Sequence, residues 1–285
     1  GGQAGVTERL DNYPGFPDGV AGHELADRMR RQAERYGVEI LEAVAVSGLK
    51  PDGDWVAVTT ATGEIYRAKA VLVATGSVYR RTGAEGESDL IGAGIHFCAT
   101  CDGPFYRGAE EVLVIGGGNS GLEEGLFLTQ FADHVTVVEY SEKLKGSRLL
   151  QDKVHAHPKI SVATNTKVVS FNATESGKLG HVELEDRVSG ERRRHLAAGA
   201  FVFIGLDPNT AFLNGDVELD DYGFIVSDEQ FRTNLPGVFV AGDVRRGSTK
   251  QLASAVGEGA AASIQIRYHL DKLAAKEETA VSPSS

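Results

Sequence analysis

The stretch EVLVIGGGNSGLEEGLFLTQFADHVTVVE, residues 111–139, constrains the fold more than any other. An apolar run at 111–115 ends in Gly116-Gly117-Gly118-Asn119-Ser120-Gly121. A helical pattern follows over 121–132, and a second apolar run at 135–139 ends on a carboxylate. Strand, glycine turn, helix and strand make one βαβ unit. The glycines fit G-x-G-x-x-G. The first allows the tight turn, the second lets backbone approach a pyrophosphate, and the third lets helix pack on strand. The helix N-terminus offers unpaired N–H groups to the phosphates. Gly116, Gly118, Asn119, Ser120 and Gly121 are therefore candidate nucleotide contacts, set against a purely structural turn. Glu139 stands where a carboxylate accepts from ribose hydroxyls and repels a 2′-phosphate. No arginine adjoins it in Tyr140-Ser141-Glu142-Lys143, and Lys145 and Arg148 are offset. This favours NADH over NADPH; a solvated charge at a strand end is the other reading.

The chain's two cysteines, Cys98 and Cys101, stand at C-x-x-C spacing. Structural zinc needs four ligands. His96 supplies a third and no fourth is apparent, so no metal is assigned. A redox dithiol is the natural reading, with inert thiols as the alternative. Asp102 follows at once, and a carboxyl group there can carry protons for thiolate chemistry. Asp102-Gly103-Pro104 is also an ordinary turn sequence.

Two more apolar runs end in glycine: VLVATG at 71–76 and VFVAGDV at 238–244. In the second, Gly242-Asp243 brings a carboxylate toward a sugar hydroxyl. A helix opening near Thr249-Lys250-Gln251 has its positive end free for an anionic group. Reduced flavin is charged at its N1–C2=O edge, so this arrangement suits a flavin. Three strand-then-glycine turns suggest nucleotide-binding architecture used more than once. Elsewhere the pattern predicts a helix at 22–36 and strands at 38–41, 55–60, 64–67 and 200–204. It predicts a hairpin near Ser176-Gly177, and a helix at 250–275 before a polar, disordered tail.

At 285 residues the chain has room for about two domains. Acidic residues outnumber basic ones, 40 to 29, for a net charge of −11. That argues against broad binding to nucleic acid or an anionic membrane. No apolar run approaches the ~20 residues of a membrane span. The opening, Gly1-Gly2-Gln3, lacks the charged and apolar regions of a secretory signal.

CATCDG at 98–103, GGGNSGLEEGLFLT at 116–129, GLDPNT at 205–210 and VFVAGDV at 238–244 stand in this order. Together they resemble the low-molecular-weight thioredoxin reductases, two-domain flavoprotein disulfide reductases, from residue 1 to about residue 272. The resemblance implies an α/β fold with two Rossmann-like nucleotide-binding domains. The FAD domain, 1–77 and 207–285, is split around the NAD(P)H domain, 78–206, which carries the redox disulfide. Links near 77 and 206 allow rotation. Electrons are expected to pass from NAD(P)H to FAD, then to Cys98–Cys101, then to thioredoxin or a thioredoxin-like protein. By the same resemblance Cys101 faces the flavin and Cys98 attacks thioredoxin.

The implied flavin contacts are Gly1, Gly2 and Gln3, which match a Gly-Gly-Gln lining the flavin, and Asn12, near its ring. Ala74, Thr75 and Gly76 match an ATG turn. Gly242 and Asp243 match the ribityl-binding Gly-Asp, and Lys250, Gln251 and Leu252 the start of the helix facing the flavin. Members of this family begin with a strand and a glycine-rich FAD loop, about forty residues ahead of Gly-Gly-Gln. The chain therefore reads as an N-terminally truncated fragment. A cytoplasmic homodimer is expected, with no nucleic acid or membrane as partner.

One departure is clear. Typical members carry His-Arg-Arg where this chain has Glu139-Tyr140-Ser141. Here, and in DRVSGE at 186–191, it is similar to the NADH-using flavoprotein subunit of alkyl hydroperoxide reductase. The alternatives are thus a peroxiredoxin-serving reductase, a ferredoxin-dependent disulfide reductase, or a non-catalytic nucleotide-binding remnant.

Thiol titration before and after mild reduction is expected to differ by two groups per chain, because Cys98 and Cys101 form a reversible disulfide. Two freely titrating thiols in the air-oxidised protein contradict this.

Overall fold

Residues 2–281, apart from 8, 11 and 214, are described by the computed structural model. The chain divides into two compact units. One comprises residues up to Val6, Tyr13–Val78 and the chain from Asp207 on; the other comprises Thr7–Asn12 and Tyr79–Leu206.

In the second unit, five parallel strands lie in the order Ile95–His96, Gly199–Val202, Val112–Ile115, Val135–Val138 and Ile160–Ala163. Parallel neighbours need crossovers. Helix Asn119–Leu128 joins Val112–Ile115 to Val135–Val138, and helix Arg148–Ala156 leads on to Ile160–Ala163. Successive side chains on a strand point to opposite faces. Val112 and Val114 accordingly enter one core with Val135, Val137 and Leu122. Leu113 and Ile115 enter another with Ile95, Val138 and Val202. Both faces being covered explains why the run is apolar throughout rather than alternating. Each fully buried Val, Leu or Ile side chain contributes about 1.5–3 kcal/mol. An antiparallel sheet of Thr166–Ala173, Leu179–Asp186 and Arg192–Leu196 completes this unit.

The first unit holds an antiparallel sheet of Val46–Asp52, Trp55–Thr60 and Ile65–Ala68. It also holds a parallel pair, Val71–Val73 with Val238–Val240, the latter packed against helix Leu252–Val281, and a further helix, Gly22–Arg35. Leu49, Val56, Val73, Leu213, Ile225, Val238 and Val240 form its core.

Three expectations shift. Residues 38–41 are not a strand, and Val38, Ile40 and Leu41 are exposed. The hydrogen-bonding neighbour of Trp55–Thr60 is instead Val46–Asp52, which buries Leu49 and turns at Gly53, where φ is +63°. The long helix begins at Leu252, because Lys250 at φ +58° is outside helical space. It also continues into the stretch read as a disordered tail, 276–285, as far as Val281, with Glu277 paired to Lys69 at 2.6 Å; 282–285 lie outside the described residues.

That helix carries Glu258, which accepts from the Gly242 N–H at 2.7 Å and from both Nε and Nη2 of Arg245, at 3.1 and 2.5 Å. Burial raises the Glu258 carboxyl pKa, but the Arg245 hydrogen bond and the Gly242 N–H outweigh it and hold the group below its usual range. A depressed folded pKa stabilises above the unfolded value and is lost as pH falls through the folded one. Glu258→Gln is therefore expected to cost about 2 kcal/mol at pH 7. The gap to wild type should be full at pH 7 and narrow in acid, as pH falls through the depressed folded value and Glu258 too becomes neutral. Urea unfolding at pH 7 and in acid checks this; a pH-independent gap contradicts it.

Candidate functional site

The Gly116–Gly121 loop is built by close backbone approach. Gly116 has φ +121°, and a Cβ there would strike the Phe203 carbonyl oxygen. That carbonyl is fixed because the Phe203 N–H donates to the Ile115 carbonyl at 2.7 Å. A Cβ on Gly121 would strike the Gly116 carbonyl oxygen. Gly118 differs: its backbone is extended, and a Cβ there would meet nothing within 4 Å. Helix Asn119–Leu128 starts at this residue with no side-chain cap, and Asn119 and Ser120 are exposed. The Lys145 and Gly146 N–H groups donate to the Gly117 carbonyl, and Asn119 Oδ1 accepts from the Ser147 N–H at 2.7 Å. The loop is thus held from within, with uncapped amides and space at Gly118, the arrangement an anionic pyrophosphate needs.

Glu139 is buried rather than solvated. Its Oε2 accepts from the Gly117 N–H at 2.7 Å and its Oε1 from the Ser141 N–H at 2.8 Å. It braces the glycine loop, and each oxygen keeps a lone pair for a further donor. Lys145 Nζ stands 3.9 Å away. Sequence reasoning missed Arg187. Its guanidinium lies 3.7 Å from the Tyr140 ring centroid, and Nη1 donates to the Tyr140 carbonyl at 2.9 Å. DRVSGE contains this residue, but a contact spanning 47 positions has no local signal.

Cys98 and Cys101 are joined as a disulfide with Cα atoms 5.3 Å apart. Cys98 is the N-cap of Ala99–Asp102, its Sγ accepting from the Cys101 N–H at 3.2 Å. Asn12, expected near a flavin ring, has Nδ2 3.7 Å from Cys101 Sγ. The Asp102 carboxylate meets His96, with Oδ2 3.4 Å from Nδ1. On the far side of the ring, Nε2 is 2.7 Å from the Tyr106 hydroxyl. His96, weighed as a third metal ligand, is therefore engaged at both nitrogens. Among the described residues, no group of three or more His, Cys, Asp and Glu is placed to hold a metal ion.

In the first unit the two remaining glycine turns emerge side by side. Val71–Val73 and Val238–Val240 are paired in parallel, and the Ala241 N–H donates to the Val73 carbonyl. Crevices beyond the carboxyl ends of parallel strands are where such folds bind ligands. Ala74 and Thr75 are exposed, and Gly76 has φ +70°. Asn209 clasps this turn: its Nδ2 donates to the Thr75 carbonyl and its N–H to the Gly76 carbonyl, while Thr75 Oγ1 donates back. Gln3 Nε2 donates to the Ser77 carbonyl, and the buried Ser77 hydroxyl has no partner. Gly2 has φ +60°; Gly1 lies outside the described residues. Burial pushes the Asp243 carboxyl up, against the pull of Lys250 and Ser248. Lys250 Nζ donates to the Asp243 carbonyl at 2.5 Å, and burial pushes that ammonium's pKa down. Gln251 and Leu252 lead into the long helix.

Residues 2–259 match the family model described as pyridine nucleotide-disulphide oxidoreductase. The chain belongs to that family. A thioredoxin reductase of Streptomyces clavuligerus is 41% identical over 281 residues, 98% of this chain and 86% of the relative. That of Bacillus subtilis is 35% identical over 275 residues, 96% and 85%. The crystal structure of thioredoxin reductase from Streptococcus pyogenes MGAS5005 superposes with a TM-score of 0.89. It shows 36% identity and covers 95% of this chain and 87% of that one. Within the pyridine nucleotide-disulphide oxidoreductases the chain thus groups with the thioredoxin reductases, and its two units have the Rossmann-type α/β fold of those proteins. The family works with a flavin and a nicotinamide. The uncapped amides at Gly118 suit a pyrophosphate. The orphaned Ser77 hydroxyl and half-buried Asp243 suit a ligand rich in hydroxyl and amide groups.

Gly118→Ala is expected to leave the thermal midpoint within about 2 °C of wild type, since its Cβ meets nothing. It should weaken nicotinamide nucleotide binding by roughly tenfold, because the Cβ occupies the approach to the phosphates. Differential scanning calorimetry and isothermal titration on the same preparation test both halves. Unchanged affinity contradicts the assignment.

Proposed function

We propose that this chain is a thioredoxin reductase-type flavoenzyme. Electrons pass from NADH through FAD and the Cys98–Cys101 disulfide to thioredoxin or a thioredoxin-like protein. The observation that carries the reading is that disulfide, closed at a helix cap with the Asp102 carboxyl group next in the chain. We assign the nicotinamide to 78–206, through Gly116, Gly118, Asn119, Ser120, Gly121 and Glu139. FAD goes to 1–77 with 207–285, through Gly1, Gly2, Gln3, Asn12, Ala74, Thr75, Gly76, Gly242, Asp243, Lys250, Gln251 and Leu252. When bound, the nicotinamide supplies a hydride and the flavin relays its two electrons to a disulfide.

The chain's own residues do the rest. Gly118 and the first-turn amides seat the pyrophosphate. Cys98 is the attacking sulfur, and the Cys101 N–H donates to its Sγ at 3.2 Å. Cys101 closes the ring again, and Asp102 moves the proton this requires. Buried Glu139 supports NADH, since a 2′-phosphate beside it would meet like charge. Lys145, 3.9 Å from Glu139, and Arg187 are the nearby cations that favour the phosphate, and Arg187 is already stacked on Tyr140 and bonded to its carbonyl. We further propose a homodimer acting in the cytoplasm. Among the described residues, no helix is long and apolar enough to cross a membrane.

Flavin-loaded protein is expected to bleach near about 450 nm on adding NADH. With thioredoxin as acceptor, kcat/KM for NADH should exceed that for NADPH by roughly tenfold or more. A ratio favouring NADPH overturns the donor assignment. Flavin that bleaches while thioredoxin stays oxidised overturns the acceptor.

A further inference from the structure

We infer that His96 is a positioning residue for Asp102, locked in one tautomer by Tyr106, and that the Tyr106–His96–Asp102 chain serves the proton moved in thiol–disulfide exchange. This rests on the reading of Cys98–Cys101 as a redox pair.

The argument begins at Tyr106. A Cβ on Gly199 would collide with its ring, so the ring is fitted against bare backbone. Burial, and then the Asp102 carboxylate, push the Tyr106 hydroxyl pKa well above its usual range, so it stays protonated. Its hydroxyl lies 2.7 Å from His96 Nε2 and can donate to it; the Asp102 carboxylate facing Nδ1 only accepts, so Nε2 is the ring nitrogen left to accept. A neutral imidazole that accepts at Nε2 carries its hydrogen on Nδ1. That nitrogen faces Asp102 Oδ2 at 3.4 Å. The His96 side chain is 10% exposed and lies between Tyr106 and Phe201, with ring centroids 5.5 and 5.3 Å away. Asp102 from Ala99–Asp102 and Tyr106 from Gly103–Tyr106 are the ionisable groups in contact with it among the described residues. Phe201, from the sheet, is apolar.

The exchange itself sets the demand. In the dithiol form, the Cys98 thiolate attacks one sulfur of the partner disulfide, and the other partner sulfur leaves as a thiolate. Cys101 loses its proton and attacks Cys98. The bond from Cys98 to the partner breaks, and the second partner sulfur leaves. The partner gains two electrons, the Cys98–Cys101 bond returns, and the two cysteine protons end on the partner's thiols. Asp102, next to Cys101 in the chain, takes the Cys101 proton and passes it on. The Nδ1–H of His96 keeps that carboxylate aimed between turnovers.

The test needs no cofactor. The chain is reduced with dithiothreitol, freed of it, and mixed with one equivalent of 4,4′-dithiodipyridine. The first thiopyridone released reports Cys98 attack, and the second reports closure by Cys101. His96→Phe is expected to slow the second phase about tenfold at neutral pH while sparing the first. Loss of the Nδ1–H contact is expected to change the pH profile of the second phase and not of the first, which a packing role alone would not do. Tyr106→Phe should act in the same direction and less. A second phase with wild-type rate and pH profile in both variants overturns the inference, as does equal slowing of both phases. Should His96→Phe not fold, long-range 1H–15N spectra of the wild type decide: an Nε2–H tautomer overturns it. A wild-type chain that releases no second thiopyridone instead defeats the redox-pair reading beneath it.

Discussion

The Gly116 carbonyl lies so close to the Cα of Gly121 that no side chain fits between them. This contact lets helix Asn119–Leu128 start directly over the end of Val112–Ile115. The five-stranded sheet is consequently covered close to its carboxyl edge. Gly125 continues the fit, its Cα facing Val137 and Val114. The same approach turns the first helical amides outward at Gly118. Packing energy and ligand chemistry thus come from one arrangement of backbone, closely packed at Gly116 and Gly121 and open at Gly118.

A second device recurs. Glu139 accepts the Gly117 N–H, and Glu258 accepts the Gly242 N–H, each at 2.7 Å. Each glycine turn spends one amide on a carboxylate from elsewhere in its own unit. Both turns are thus stiffened by a hydrogen bond to a carboxylate, and at Glu258 that bond and Arg245 favour the charged form. Asn209 does the equivalent work at Thr75–Gly76 with an amide.

Much of this was legible from local pattern. The βαβ unit and the C-x-x-C pair announce themselves because turn geometry and thiol spacing depend on residues adjacent in the chain. The strand assigned at 38–41 failed for the complementary reason. Val38, Ile40 and Leu41 have strand-like composition, but the Val38 N–H turns back to the Ala33 carbonyl of the preceding helix and no described strand pairs with the segment. Composition reports what a segment tolerates, not what it meets. Arg187 on Tyr140, and Glu258 under Gly242, are contacts across many positions, invisible in either residue's own context. Glu139 was read for its charge, whereas its two bonds to backbone show a bracing role as well. The His96 ring was weighed alone, and only the fold brings Asp102 and Tyr106 to its opposite nitrogens.

The strand Val112–Ile115 is the common wall of two cores, odd and even residues serving different sides. Adding or deleting one residue there would reverse both sets at once, and it would also slide the Gly116–Gly121 loop along the strand by one step. This segment therefore has a fixed length in a way that the Thr174–Lys178 connection, with its exposed turn at Gly177, does not. For anyone grafting, tagging or splicing this chain, changes in length belong in that hairpin, and the strand that ends at the glycines accepts only exchanges of one apolar side chain for another.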